Sequence, residues 1–132
     1  MTNIFKLVKY NNIEEVKKLI DEGIDVNMKD ADGDTPLHWA IFKNNTKITK
    51  LLIKKNADMN LQDKWGNTPL HYAIVWENTK IVKLLIKNKA DMNLQNDNGY
   101  TPLHYAIFKN NTKIIKLLKK HGAKEFNNKK GK

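Results

Sequence analysis

The chain has no cysteine, which excludes disulfide cross-links and thiolate chemistry. It has no serine, so a serine nucleophile is impossible, and no arginine: all 24 basic residues are lysine. Arginine is the side chain whose planar fork grips phosphates and guanine edges. Its absence weakens the nucleic-acid reading that a net charge of +10 would otherwise encourage. No apolar run approaches the ~18 residues a membrane span requires. Residues 1–10 lack the apolar core and cleavage site of a secretory signal, which leaves an intracellular setting as the default expectation. What remains, in 132 residues, is room for one domain with a sizeable core.

What is present is a repeat. Thr35-Pro36-Leu37-His38-Trp39-Ala40 returns as Thr68 to Ala73 and as Thr101 to Ala106, each time after 33 residues. The same shift superimposes Gly33, Gly66 and Gly99, then Asn27, Asn60 and Asn93, then Asp25, Asp58 and Asp91. It also superimposes Ile48, Leu51 and Leu52 on Ile81, Leu84 and Leu85, and on Ile114, Leu117 and Leu118.

Each unit has a physical reading. Threonine before proline starts a helix, as a hydroxyl N-cap followed by a residue whose missing N–H costs nothing at N1. This first helix runs to about Lys43 and stops at Asn44-Asn45, residues that tolerate the left-handed conformation of a helix end. A second helix, from about Thr46 to Lys55, buries Ile48, Leu51, Leu52 and Ile53 and turns Lys47, Lys50 and Lys54 outward. An extended stretch follows, then the turn Asp63-Lys64-Trp65-Gly66, with glycine where positive φ is needed. Two helices this short cannot bury their apolar faces alone, so neighbouring units must stack.

The period, the TPLHWA and TPLHYA strings, the Asp-x-x-Gly-x-Thr-Pro turn and the Ala-Asp-x-Asn exit resemble ankyrin repeats. The resemblance implies an all-α repeat solenoid, stacked helix-turn-helix units joined by β-turns. Residues 1–34 align as a fourth, degenerate unit, with Thr2 on Thr35, Ile4 on Leu37 and Leu19 on Leu52. The expected units are 1–34, 35–67, 68–100 and 101–126, one domain in all, followed by a disordered basic tail at 127–132. Glu15 stands where Ile48 does and Lys18 where Leu51 does. Lys119 replaces the Ile53 and Ile86 position, and Phe126 falls on Asn93. Polar replacements suit the water-facing side of a terminal unit, so an array capped at both ends, and complete, is expected. Before the Ala-Asp exit Gly23 and Gly122 keep the usual glycine, but Asn56 and Lys89 do not. Lysine is strained in the left-handed region by roughly 1 kcal/mol, so Lys89 marks the least comfortable joint.

The three histidines of the signature, His38, His71 and His104, look like metal ligands until their spacing is considered. Stacked units place them about 8–10 Å apart, one helix-packing distance, whereas metal ligands converge within ~2.0–2.3 Å of one centre. The resemblance makes them structural, tying adjacent turns together, with the threonine hydroxyl as local partner. His121 sits near the end of the last helix, where a donor suits the dipole. Asp30, Asp63 and the Asp25, Asp58, Asp91 series read as turn-capping acceptors. There is no nucleophile elbow and no phosphate-binding glycine loop, and no catalytic, cofactor-binding or metal residue is assigned.

Positions that vary between units are free of the packing duty that fixes the rest. In the turns these include Asp32 and Asp34, then Lys64, Trp65 and Asn67, then Asn98 and Tyr100. On the first helices they are Phe42 and Lys43, Val75 and Trp76, Phe108 and Lys109. The resemblance places turn tips and first helices along a concave groove that holds another protein, so these residues are the expected partner contacts of a monomeric, non-catalytic scaffold. Lysines recur instead on the second helices: Lys47, Lys50 and Lys54, Lys80, Lys83 and Lys87, Lys113, Lys116 and Lys120. Their convex ridge is the alternative binding surface, for nucleic acid or anionic membrane through counterion release.

Overall fold

In the computed structural model, which describes residues 3–125, each 33-residue period folds as two short antiparallel helices. Phe126 and the basic tail lie outside the described residues. The first helices are α1 (Ile4–Lys9), α3 (Pro36–Phe42), α5 (Pro69–Val75) and α7 (Pro102–Phe108). The second are α2 (Ile13–Asp21), α4 (Thr46–Lys54), α6 (Thr79–Lys87) and α8 (Thr112–Lys120). First helices stack on first helices in one column and second helices on second helices in another. No strand forms among the described residues.

The signature explains the first helices. Thr35 is the N-cap of α3, its hydroxyl oxygen accepting from the His38 backbone N–H, while the His38 side chain accepts the Thr35 N–H at 3.0 Å. Two of the orphan donors of the helix start are thus satisfied reciprocally. Thr68 with His71 and Thr101 with His104 repeat this capping box. The second helices begin differently. Asn45, Asn78 and Asn111 cap α4, α6 and α8, accepting from Ile48, Ile81 and Ile114 N–H at 2.9, 3.0 and 3.0 Å.

The core is a row of equivalent side chains. Ile48, Leu52, Ile81, Leu85, Ile114 and Leu118 from the second helices are fully buried, as are Leu37, Ala40, Leu70, Ala73, Leu103 and Ala106 from the first. Leu51 and Ile53 are only half-buried, because a helix packed on one side hides a stripe and not a full half. Alanine in the first column lets those helices approach, and they are also shorter than their partners.

Hydrogen bonds at 33-residue intervals lock the units in register. His38 Nδ1 accepts from the Thr35 N–H, so Nε2 carries the proton and donates to the Asn67 carbonyl at 3.0 Å; His71 does the same to Tyr100 at 2.9 Å. Asn27, Asn60 and Asn93 each accept the backbone N–H of the next unit's exit, from Asp58, Asp91 and Lys124, at 2.8, 2.8 and 2.9 Å. Asp25, Asp58 and Asp91 cap the same turns from within. His121 ends α8 as its C-cap, its Nδ1 3.0 Å from the Leu117 carbonyl.

Lys89 adopts φ +72°, as its place in the period requires, and Asn56 adopts +69°. A second strained position lies in the turn between paired helices. The turn between paired helices is left-handed at Asn11, Asn44 and Asn110, and Glu77 takes the same conformation in the third unit. Glu77 keeps the ladder contact there, its carboxylate accepting from Asn111 at 2.9 Å as Asn11 accepts from Asn45 at 2.7 Å.

Candidate functional site

Every expected contact residue sits on the side of the stack formed by the first helices and turn tips. Trp65, Trp76 and Phe108 expose 49%, 54% and 58% of their surface, far more than a core aromatic does. Lys43, Lys64, Asn98 and Lys109 are exposed; Asp32, Phe42, Asn67, Val75 and Tyr100 are half-buried. Asp34 is the exception. The start of the Thr35 capping box turns its carboxyl inward, only 4% exposed, so it offers no contact surface and the expectation for it is corrected.

The aromatic residues are preorganised by one another. Trp76 stacks on Tyr72 at 5.6 Å and meets Phe42 edge-on at 5.5 Å, and Phe42 meets Tyr72 at 4.8 Å. Trp39 closes the cluster against Phe42 at 5.2 Å. A second cluster joins Tyr100, Tyr105 and Phe108, with ring centres 5.1–5.9 Å apart. Such edge and offset contacts hold rings in one orientation, so little side-chain freedom is left to lose on binding. Beside Trp76 an open cleft of about 540 Å³ runs between Ile41, Phe42 and Asn44 on one unit and Ala73, Glu77, Asn78 and Thr79 on the next.

The turn tips are fixed by polar contacts. Lys64 donates its backbone N–H to the Asp32 carbonyl at 2.9 Å, pairs its ammonium with the Asp32 carboxylate at 2.8 Å and lies 4.7 Å over the Trp65 ring. An exposed ion pair adds little stability; this one sets the Lys64 ammonium against the face of Trp65. The ring hydroxyls and indole of the first helices reach back to the turns. Trp39 donates to Asp30 at 2.8 Å, Tyr72 donates to Asp63, and Tyr105 accepts from Asn96 at 2.9 Å. Burial opposes ionisation of Asp30, but the Trp39 indole and the Asp34 and Asp32 N–H groups outweigh it and hold its carboxyl below the usual range. Burial and the Asp63 bond push the Tyr72 hydroxyl up, so it stays a donor.

A family model for ankyrin repeats (3 copies) matches residues 4–96 and 77–132. The chain belongs to the ankyrin-repeat family. Among curated proteins, a vapyrin-like protein of Medicago truncatula is 42% identical over 40 residues, which covers 30% of this chain and 9% of that protein. Ankyrin repeats are generally protein–protein interaction modules, and the family is generally non-catalytic. The family's signature residues are spent on the joints here: the buried histidines use both ring nitrogens, and burial holds His38 and His71 below the ordinary imidazole range.

Sequence reasoning under-read three parts of this ankyrin face. Trp39, Tyr72 and Tyr105 recur with the signature and so escape a search for positions that vary, yet they are half-buried and form the floor under the variable rings. Lys9, 5.6 Å over the Trp39 ring, and exposed Tyr10 extend the face into the first unit. Their signal was the period itself, since Lys9 falls on Phe42 and Tyr10 on Lys43. Ile107, 45% exposed, is apolar at a position its counterparts bury, because no unit follows it among the described residues.

Proposed function

We propose that this ankyrin-repeat chain binds a segment of another protein along the face formed by its first helices and turn tips, centred on the second and third units. One observation carries the reading: Trp65 and Trp76 are half-exposed on one side, Trp76 packed against Tyr72 and Phe42 and Trp65 beneath the Lys64 ammonium. Large, rigid, partly exposed aromatics are the side chains that dominate interface energetics. Phe42, Val75, Tyr100 and Phe108 add apolar area, and Lys43, Lys64, Asn98, Lys109, Asp32 and Asn67 supply the polar margin.

The test is capture of partners by the whole chain, followed by affinity measurement with each. Trp65→Ala with Trp76→Ala is expected to weaken a groove partner at least tenfold while leaving the helical signal intact, and to do so equally at about 50 and 200 mM salt. The nine lysines that recur on α4, α6 and α8, all exposed, favour a second reading, charge-driven binding of polyanions. Affinity that falls by orders of magnitude over that salt range, and ignores the tryptophans, would establish it instead.

A further inference from the structure

We propose that the buried carboxyl groups of Asp34 and Asp63 share one proton, carried by Asp34, and that this proton fastens the turn at residues 30–34 to the turn at residues 63–67.

Asp34 is 4% exposed and Asp63 6%, and they face each other across the joint, with carboxylate oxygens within 4.8 Å of one another and of His38. Two adjacent buried charges of one sign are not both sustained. The hydrogen bonds say which group is charged. Asp63 acts as acceptor throughout: Oδ1 takes the Trp65 and Asn67 N–H at 3.0 and 2.9 Å, and Oδ2 takes the Tyr72 hydroxyl. Asp34 receives no such donor, and its Oδ1 is buried with no hydrogen-bond partner. The charge rests on Asp63 and the proton on Asp34.

The next joint is an internal control. One period later Asp34 becomes Asn67 and Asp63 becomes Asn96. Asn96 Oδ1 accepts from Asn98 and Tyr100 N–H as Asp63 Oδ1 accepts from Trp65 and Asn67. Asn96 Nδ2 then donates to Asn67 Oδ1 at 2.9 Å. A hydrogen therefore lies between the two side chains of the Asn67–Asn96 pair, and between Asp34 and Asp63 only a shared proton supplies it.

A metal ion does not fit the same donors. Both ring nitrogens of His38 are occupied, Nδ1 by the Thr35 N–H and Nε2 by the Asn67 carbonyl. Asp63 Oδ1 is doubly bonded to backbone donors, so too few oxygens remain for the six or more that a hard cation takes.

The surrounding groups set the direction. Asp30 and Asp32 on its own turn, and Asp63 on the next, all face Asp34; burial first, then Asp63, push its carboxyl up to about 7. His38 on α3 and Tyr72 and His71 on α5 stand around the pair, with Lys29 beside His38 and Lys64 at the rim. A carboxyl raised above its ordinary value of 3.8 contributes stability that is fully present below 3.8 and lost as pH rises to 7. Above that the loss levels off. His38 and His71 act oppositely, so the difference between variants isolates the proton.

The experiment is urea unfolding of the whole chain from pH 5 to 8.5, with Asp34→Asn and, separately, Asp63→Asn, each of which puts an amide donor between the two side chains, as Asn96 does toward Asn67. The folding equilibrium constant of D34N relative to the native chain is expected to rise with pH, by up to tenfold per unit, and to flatten above about 7. In native-state hydrogen exchange the Lys64 amide, which bridges to Asp32, should lose protection over the same range, while the Asp97 amide, which bridges to Trp65, keeps it. Parallel pH curves for the native chain and both variants would overturn the shared proton. So would stabilisation at pH 8 by added Ca²⁺ or Zn²⁺ that D34N abolishes, which would make the pair a metal site.

Discussion

Lys89 and Gly66 show opposite uses of one backbone conformation. Lys89 holds φ +72° where Gly23 and Gly122 stand in the first and last units. A side chain there costs roughly 1–2 kcal/mol, partly offset by the entropy a glycine would lose. Lys89→Gly is therefore expected to stabilise the protein by about 1 kcal/mol, seen as a higher urea midpoint at unchanged m. At Gly66, with φ +81°, an added Cβ would lie 2.7 Å from Asp97 N and Oδ1; at Gly99, also φ +81°, it would meet nothing within 4 Å. Both alanine variants suffer the left-handed strain of about 1 kcal/mol, but Gly66→Ala must also part the two turn tips. It is expected to lower the urea midpoint at least twice as far as Gly99→Ala.

At the scale of the helix, the repeat made most of the architecture legible. The Thr-Pro starts, the Asn stops and the apolar triplets placed the first helix of the second unit to within a residue and its partner likewise, because each marks a local energetic rule. The degenerate first unit was also legible, since its outward Glu15 and Lys18 are exposed as expected. Side-chain direction in the turns was not. Nothing in the string Asp32-Gly33-Asp34 says that the first aspartate stays partly exposed and the second is buried; only the turn and the capping box decide that. Nor does the period reveal that a variable Trp76 rests on a recurrent Tyr72, because periodicity separates framework from surface and this face uses both. Position in the stack should show in the cost of truncation. Leu85, fully buried between two neighbours, should cost 2–5 kcal/mol as Leu85→Ala. Its counterpart Leu19, half-buried on the terminal helix, should cost less than half of that, by the same urea measurement.

Across the whole molecule, stability is a sum over joints, and the joints titrate. Burial holds His38 and His71 below the ordinary imidazole value of 6.5, so both are neutral in the folded chain. Groups lowered on folding contribute stability that is present above 6.5 and lost as pH falls below it. In the Asp34→Asn background, where the opposing carboxyl is silent, unfolding free energy is expected to fall steadily between pH 7 and 5. Replacing His71 by Gln, which preserves a hydrogen-bond donor, should flatten part of that slope.

The turn tips are bridged by one backbone hydrogen bond per joint, Lys64 to Asp32 and then Asp97 to Trp65. Loaded end to end, such an array behaves as a chain of weak latches in series. It should yield in discrete steps in a single-molecule stretching trace, each releasing one 33-residue unit and lengthening the tether by roughly 110–120 Å. A partner seated across two tips would splint the latch between them, and its binding would then be readable as a rise in the force of one step.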